Sequence, residues 1–179
     1  WAYARLAGGA AAAEAPGQML SFLGTMQLAL VLLVLLAARA FGSQAQDVLA
    51  LVPSATGWRG YIYGLLGLLG LVGAMDAVML LLKPEPIMGD MKPFVGMIRS
   101  DLWWLTLLVV GIGAPLSEEL LFRGFVQSAL AQTRLGFLGA TLVTTSTWTA
   151  LHANYSILGI IQVGVIGLYL SWLLWRTGS

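Results

Sequence analysis

Two adjacent carboxylates and a guanidinium lie in one short apolar stretch: Glu118, Glu119 and Arg123, inside Ala114-Pro115-Leu116-Ser117-Glu118-Glu119-Leu120-Leu121-Phe122-Arg123-Gly124. Val109, Val110 and Ile112 precede them, and Phe125 and Val126 follow. On insertion scales a charge at membrane depth costs about 2.5–3.5 kcal/mol per residue, so three charges in six positions call for a purpose. On a helix, Glu119 and Arg123 are four apart and share a face, which lets them pair. Glu118 points about 100° away and has no partner in its own turn. One carboxylate is thus neutralised in place and the other is free for chemistry. The only histidine of the chain, His152, is the natural complement, because a carboxylate and an imidazole facing each other can deprotonate a water near neutral pH. Asn154 and Asp76 are the remaining polar candidates. Asp76 sits two turns inside an apolar helix, where a hydrogen bond to a neighbouring helix outweighs a proton or substrate contact.

Other chemistries fit less well. No His-Glu-x-x-His pattern is present, and one histidine with two carboxylates is a thin ligand set for zinc, so no cofactor or metal is expected. Ser117 lacks a nucleophile-elbow context. Neither a phosphate-binding loop nor a dinucleotide fingerprint occurs. With no cysteine there is no disulfide framework and no thiol nucleophile. A net charge of +1 gives no reason to expect nucleic acid.

The surroundings of these residues are those of a membrane protein. The chain is 59% hydrophobic and 9% charged, against about 25% charged in a soluble domain, and its mean hydropathy is +0.86. Its 179 residues hold five or six membrane helices of about 20 residues each, an all-α polytopic bundle in contact with lipid. The reading along the chain is a tail over 1–17, then a single transmembrane domain over 18–179. Spans fall at 19–41 and 60–82, and a third apolar stretch covers 102–132. It is broken near Pro115, with Ser117 capping the helix that carries the acidic pair. Apolar segments at 137–152 and 157–175 follow. Gly64, Gly67, Gly70 and Gly73 recur every third residue in the second span and suit close helix packing. Between the second and third spans, Met88, Met91, Phe94, Met97 and Ile98 are spaced for an amphipathic surface helix. Trp103 and Trp104 then mark the headgroup level.

The acidic stretch resembles the first motif of the CPBP intramembrane metalloprotease-like family, also called Abi or CAAX-protease-like: Glu118-Glu119-x-x-x-Arg123, preceded by Ala114-Pro115 and followed by Gly124. Trp148-x-x-x-His152 resembles its second motif, usually Phe-x-x-x-His, with Trp in place of Phe. The stretch from Gly164 to Ser179 resembles the approach to the third motif, a His followed four residues later by Asn or Asp. That motif is not in the chain and is expected just beyond Ser179. The resemblance covers residues 101–179. It implies an intramembrane endopeptidase in which Glu118 activates water, His152 holds or polarises that water, and Glu119 with Arg123 forms a structural pair. Its substrate would be a peptide or membrane protein, and a bacterial inner membrane is the expected location. The rival reading is a non-catalytic relative, a scaffold or accessory subunit among neighbouring subunits of a membrane complex.

Overall fold

The computed structural model describes residues 16–41, 44–82 and 84–179. The tail expected over 1–17 lies outside the described residues up to residue 15. Among the described residues seven helices follow in chain order: α1 (Pro16–Phe41), α2 (Ala45–Val48), α3 (Trp58–Leu82), α4 (Pro84–Ile98), α5 (Trp103–Ala131), α6 (Gly136–Leu151) and α7 (Ile157–Thr177). Among the described residues there is no strand. Among the described residues four helices, α1, α3, α5 and α7, are long and apolar enough to cross a membrane, which makes this an integral membrane protein in contact with lipid. The expectation was five or six. α6 is also apolar, but its 16 residues span only about 24 Å, short of a hydrocarbon core of about 30 Å. It packs between α5 and α7.

Pro115 does not break α5. The helix runs through it because the preceding turn, Leu107–Gly113, is π-helical. Proline lacks an N–H and crowds the carbonyl four residues back, and a widened turn relieves both conflicts. A second π-helical stretch, Leu120–Gln127, carries Arg123. Ser117 is therefore interior to the helix rather than a cap. Its buried hydroxyl donates to the Ala114 carbonyl at 3.0 Å.

The polar connection after α1 folds back onto the bundle. Leu49, 2% exposed, packs with Val34 and Ala38 of α1 and against Leu120, Leu121 and Phe125 of α5. A side chain on Gly124 would meet the Leu49 carbonyl oxygen at 2.9 Å, so the glycine that follows Arg123 lets this segment approach α5. On α3 the small-residue stripe is used in part. A Cβ at Gly64 would lie 2.9 Å from Leu173 of α7, and the Tyr169 hydroxyl occupies the space at Gly67 and donates to the Gly64 carbonyl at 2.9 Å. Gly70 and Gly73 meet no neighbour within 4 Å among the described residues. In α4, Met97 is buried, Phe94 is half-buried, and Met91 and Ile98 are exposed; the Met88 side chain lies outside the described residues.

A buried amide locks α5, α6 and α7 together. Gln127 is fully buried. Its Nε2–H donates to the Thr141 hydroxyl at 3.0 Å, and its Oε1 accepts from the Ser171 hydroxyl at 3.0 Å. In an apolar surrounding such a group must find partners, and here both neighbouring helices supply them, with the Thr144 hydroxyl of α6 also donating to Oε1 at 3.4 Å. Gln127→Leu is expected to lower stability by about 1–2 kcal/mol, because two hydroxyls lose their partner. Thermal or denaturant melts in detergent check this, and an unchanged melt contradicts the role given to Gln127.

Candidate active site

Arg123 is the deepest charge of the site, 4% exposed. Its Nη1 lies 2.8 Å from Glu119 Oε1, the i,i+4 pair expected from spacing, though off the direction of a hydrogen bond. Nη2–H donates to the Gly167 carbonyl of α7 at 3.3 Å. The guanidinium carbon sits 4.4 Å from the centre of the Trp148 ring, over the indole face that attracts cations. Gly167 makes this possible: a side chain there would meet Thr145 Cγ2 at 2.8 Å and Arg123 Nη2 at 3.1 Å.

Glu118 has no partner in its own turn, but it has one across the bundle. The Trp148 indole Nε1–H donates to Glu118 Oε2 at 2.8 Å. Among the described residues Oε1 carries no hydrogen bond. Trp148 is itself 8% exposed and packs with Phe122 and Val163. Besides the Gln127–Thr141 bond, a hydrogen-bonded contact between α5 and α6 therefore runs through the carboxylate that pairing with Arg123 leaves over.

His152 closes α6, and its ring stands 5.2 Å from the Trp148 ring at 70°. Its Nδ1 lies 2.9 Å from the Trp148 carbonyl. A carbonyl can only accept, so Nδ1 bears the proton and the Nε2 lone pair is open in the neutral ring. On the far side the Tyr155 ring stands 5.4 Å away at 68°. Of the four residues singled out from the sequence, Glu118, Arg123 and His152 thus meet at one indole, and Glu119 joins them through Arg123.

The turn after His152 is held from outside the bundle. Asp90 of α4 accepts from the Ser156 backbone N–H at 2.9 Å and from its hydroxyl at 2.7 Å, while Ser156 Oγ caps α7 by accepting from Gly159 N–H at 3.1 Å. Ser156 before an apolar run was readable as a cap. Asp90, 66 positions away, had no such signal. Tyr155 lies in this turn, and burial, reinforced by the negative charges of Glu118 and Asp90, pushes its phenol above the usual tyrosine range. Asn154 is exposed and makes no hydrogen bond among the described residues. Asp76 is hydrogen-bonded between helices, its Oδ1 accepting from Gln162 of α7 at 2.6 Å. Among the described residues no three or more His, Cys, Asp or Glu side chains gather as a metal-ligand set.

Residues 100–179 match the family model described as type II CAAX prenyl endopeptidase Rce1-like. This match bears out the resemblance to the CPBP/CAAX-protease family over nearly the same stretch. No curated protein matches the chain, and no solved structure does.

Two outcomes are expected. Glu119→Gln leaves Arg123 buried without its counter-charge and should cost about 2–4 kcal/mol, less than the loss from a fully buried pair because a third of the Glu119 side chain is open. Glu118→Gln keeps an acceptor for the indole and should cost less. Melts of the two variants in detergent compare them; a larger loss for Glu118→Gln would reverse the assignment. Separately, the tyrosinate absorbance lost in Tyr155→Phe should develop above the ordinary tyrosine range of about 10. Its appearance within that range would contradict the buried, negatively flanked phenol.

Proposed function

We propose that the chain is an intramembrane endopeptidase of the CAAX-protease-like type, acting by a water held between Glu118 Oε1 and His152 Nε2. The observation that carries this reading is the shared indole: Trp148 binds one oxygen of Glu118 and, through its carbonyl, one nitrogen of His152, and each group keeps its other atom open. In the proposed reaction Glu118 takes a proton from the water as the water oxygen bonds to the scissile carbonyl carbon. His152 Nε2 accepts the second water hydrogen in a hydrogen bond and orients the attack. The tetrahedral intermediate collapses with cleavage of the C–N bond, and the proton on Glu118 passes to the leaving amine. Glu119 and Arg123 act from behind as a fixed pair. Developing negative charge on the carbonyl oxygen needs donors, which in this family come from the third motif.

The substrate class is a peptide presented at membrane level, as part of a membrane protein or a lipid-anchored chain. A bacterial inner membrane is the proposed setting. The test uses protein in nanodiscs with a library of quenched fluorescent peptides, half of them carrying a prenylated cysteine, in water enriched in oxygen-18. Cleavage with one heavy oxygen in the new carboxyl terminus is expected. Glu118→Gln and His152→Ala should lower it by about 10²–10⁴-fold. Equal cleavage by wild type and Glu118→Gln, or none by either, would overturn the reading and favour a non-catalytic membrane subunit.

A further inference from the structure

We propose that Trp148 is the positioning residue of this site: its indole N–H selects which oxygen of Glu118 acts as base, and its carbonyl selects which nitrogen of His152 accepts. The chemical part of this proposal rests on the peptidase reading; the contact itself does not.

One residue makes four separate contacts with three of the site residues, Glu118, Arg123 and His152. The N–H reaches Glu118 Oε2 at 2.8 Å. The ring face covers the Arg123 guanidinium at 4.4 Å. The ring also meets His152 at 5.2 Å, nearly perpendicular. The backbone carbonyl receives His152 Nδ1–H at 2.9 Å. Packing alone accounts for the second and third contacts, and a phenylalanine would make both. It does not account for the first. A carboxylate has two equivalent oxygens, and a strong donor on one of them breaks that equivalence. Oε2 becomes the poorer acceptor, its torsion is held, and the proton-accepting role falls to Oε1. With Trp148 8% exposed, little water can compete for Oε2.

The tautomer follows from the same residue. Because the Trp148 carbonyl takes Nδ1–H, Nε2 is left as the acceptor. α6 therefore orients both reactive groups from one residue, one through the side chain and one through the backbone. The position of Trp148, four residues before His152, is what the helix requires for that carbonyl to reach the ring of its C-terminal histidine.

The test has two arms. In the first, protein labelled with nitrogen-15 in its indoles is placed in nanodiscs, and the Trp148 resonance among the seven tryptophans is assigned by its loss in Trp148→Phe. Should Trp148→Phe not fold, Trp148→Tyr serves for the assignment. The Trp148 indole proton should lie downfield of the others and move by several linewidths in Glu118→Gln, while Asp76→Asn leaves it in place. A resonance unmoved by Glu118→Gln would overturn the proposal, since a packing role predicts that result. In the second arm, Trp148→Phe is compared with wild type on the peptide library. With the melt preserved, kcat should fall about ten- to a hundredfold and KM should stay, the pattern of a lost transition-state alignment. Full turnover by Trp148→Phe would overturn the positioning role. If wild type cleaves nothing, the peptidase reading fails, and the first arm alone decides whether Trp148 orients Glu118.

Discussion

A guanidinium 4% exposed inside an apolar bundle is the constraint to which the C-terminal half of this protein responds. An unpaired cation at that depth is not tolerated, and Arg123 meets a counter-charge, a carbonyl and an aromatic face from three different elements. Each partner has a further consequence. Glu119 must sit one turn before it on α5. Gly167 must lack a side chain so that α7 can offer its carbonyl. Trp148 must lie flat beneath the charge, and this turns its N–H toward Glu118. Solvating the arginine thus orients the carboxylate beside it.

That arrangement needs a continuous α5. The helix passes Pro115 by widening its preceding turn and widens again around Arg123, and the wide stretch closes at Gln127, whose amide ties α6 and α7 to it. α6 is short, and the histidine that closes it stands beside Trp148, whose N–H reaches Glu118. Asp90 then holds the turn that follows His152 by way of Ser156. The site is assembled from three helices of the bundle and clamped by a fourth that lies outside it.

Much of this was legible in the sequence, for identifiable reasons. Charges are so rare in this chain that Glu118, Glu119, Arg123 and His152 stand out against the apolar background, and helical spacing alone pairs Glu119 with Arg123. The motif resemblance over 101–179 is matched by the family model over 100–179. What was not legible depends on contacts between distant segments. Trp148 reads as an apolar core residue until its N–H is seen against a carboxylate 30 positions away. Gln127 reads as a polar residue near a helix end, though it is the bundle's central lock. A break was expected at Pro115 because the residue type forbids a normal turn, and no residue type announces that a π turn will absorb it. Ser117 was expected as a cap for the same reason, and it is interior because the helix did not end. The apolar segment at 137–152 counted as a span by composition, and its length as folded is what sets it apart.

The central claim is that Glu118, not Glu119, faces His152. With no cysteine in the chain, pairs can be introduced on a clean background. The most direct measurement is crosslinking in membranes of Glu118→Cys/His152→Cys and Glu119→Cys/His152→Cys with a methylene-bridged bis-thiosulfonate, read by protease cleavage between α5 and α6 and mass spectrometry. The account predicts that the first pair crosslinks and the second does not. Crosslinking of the second pair alone, or of neither, would contradict it.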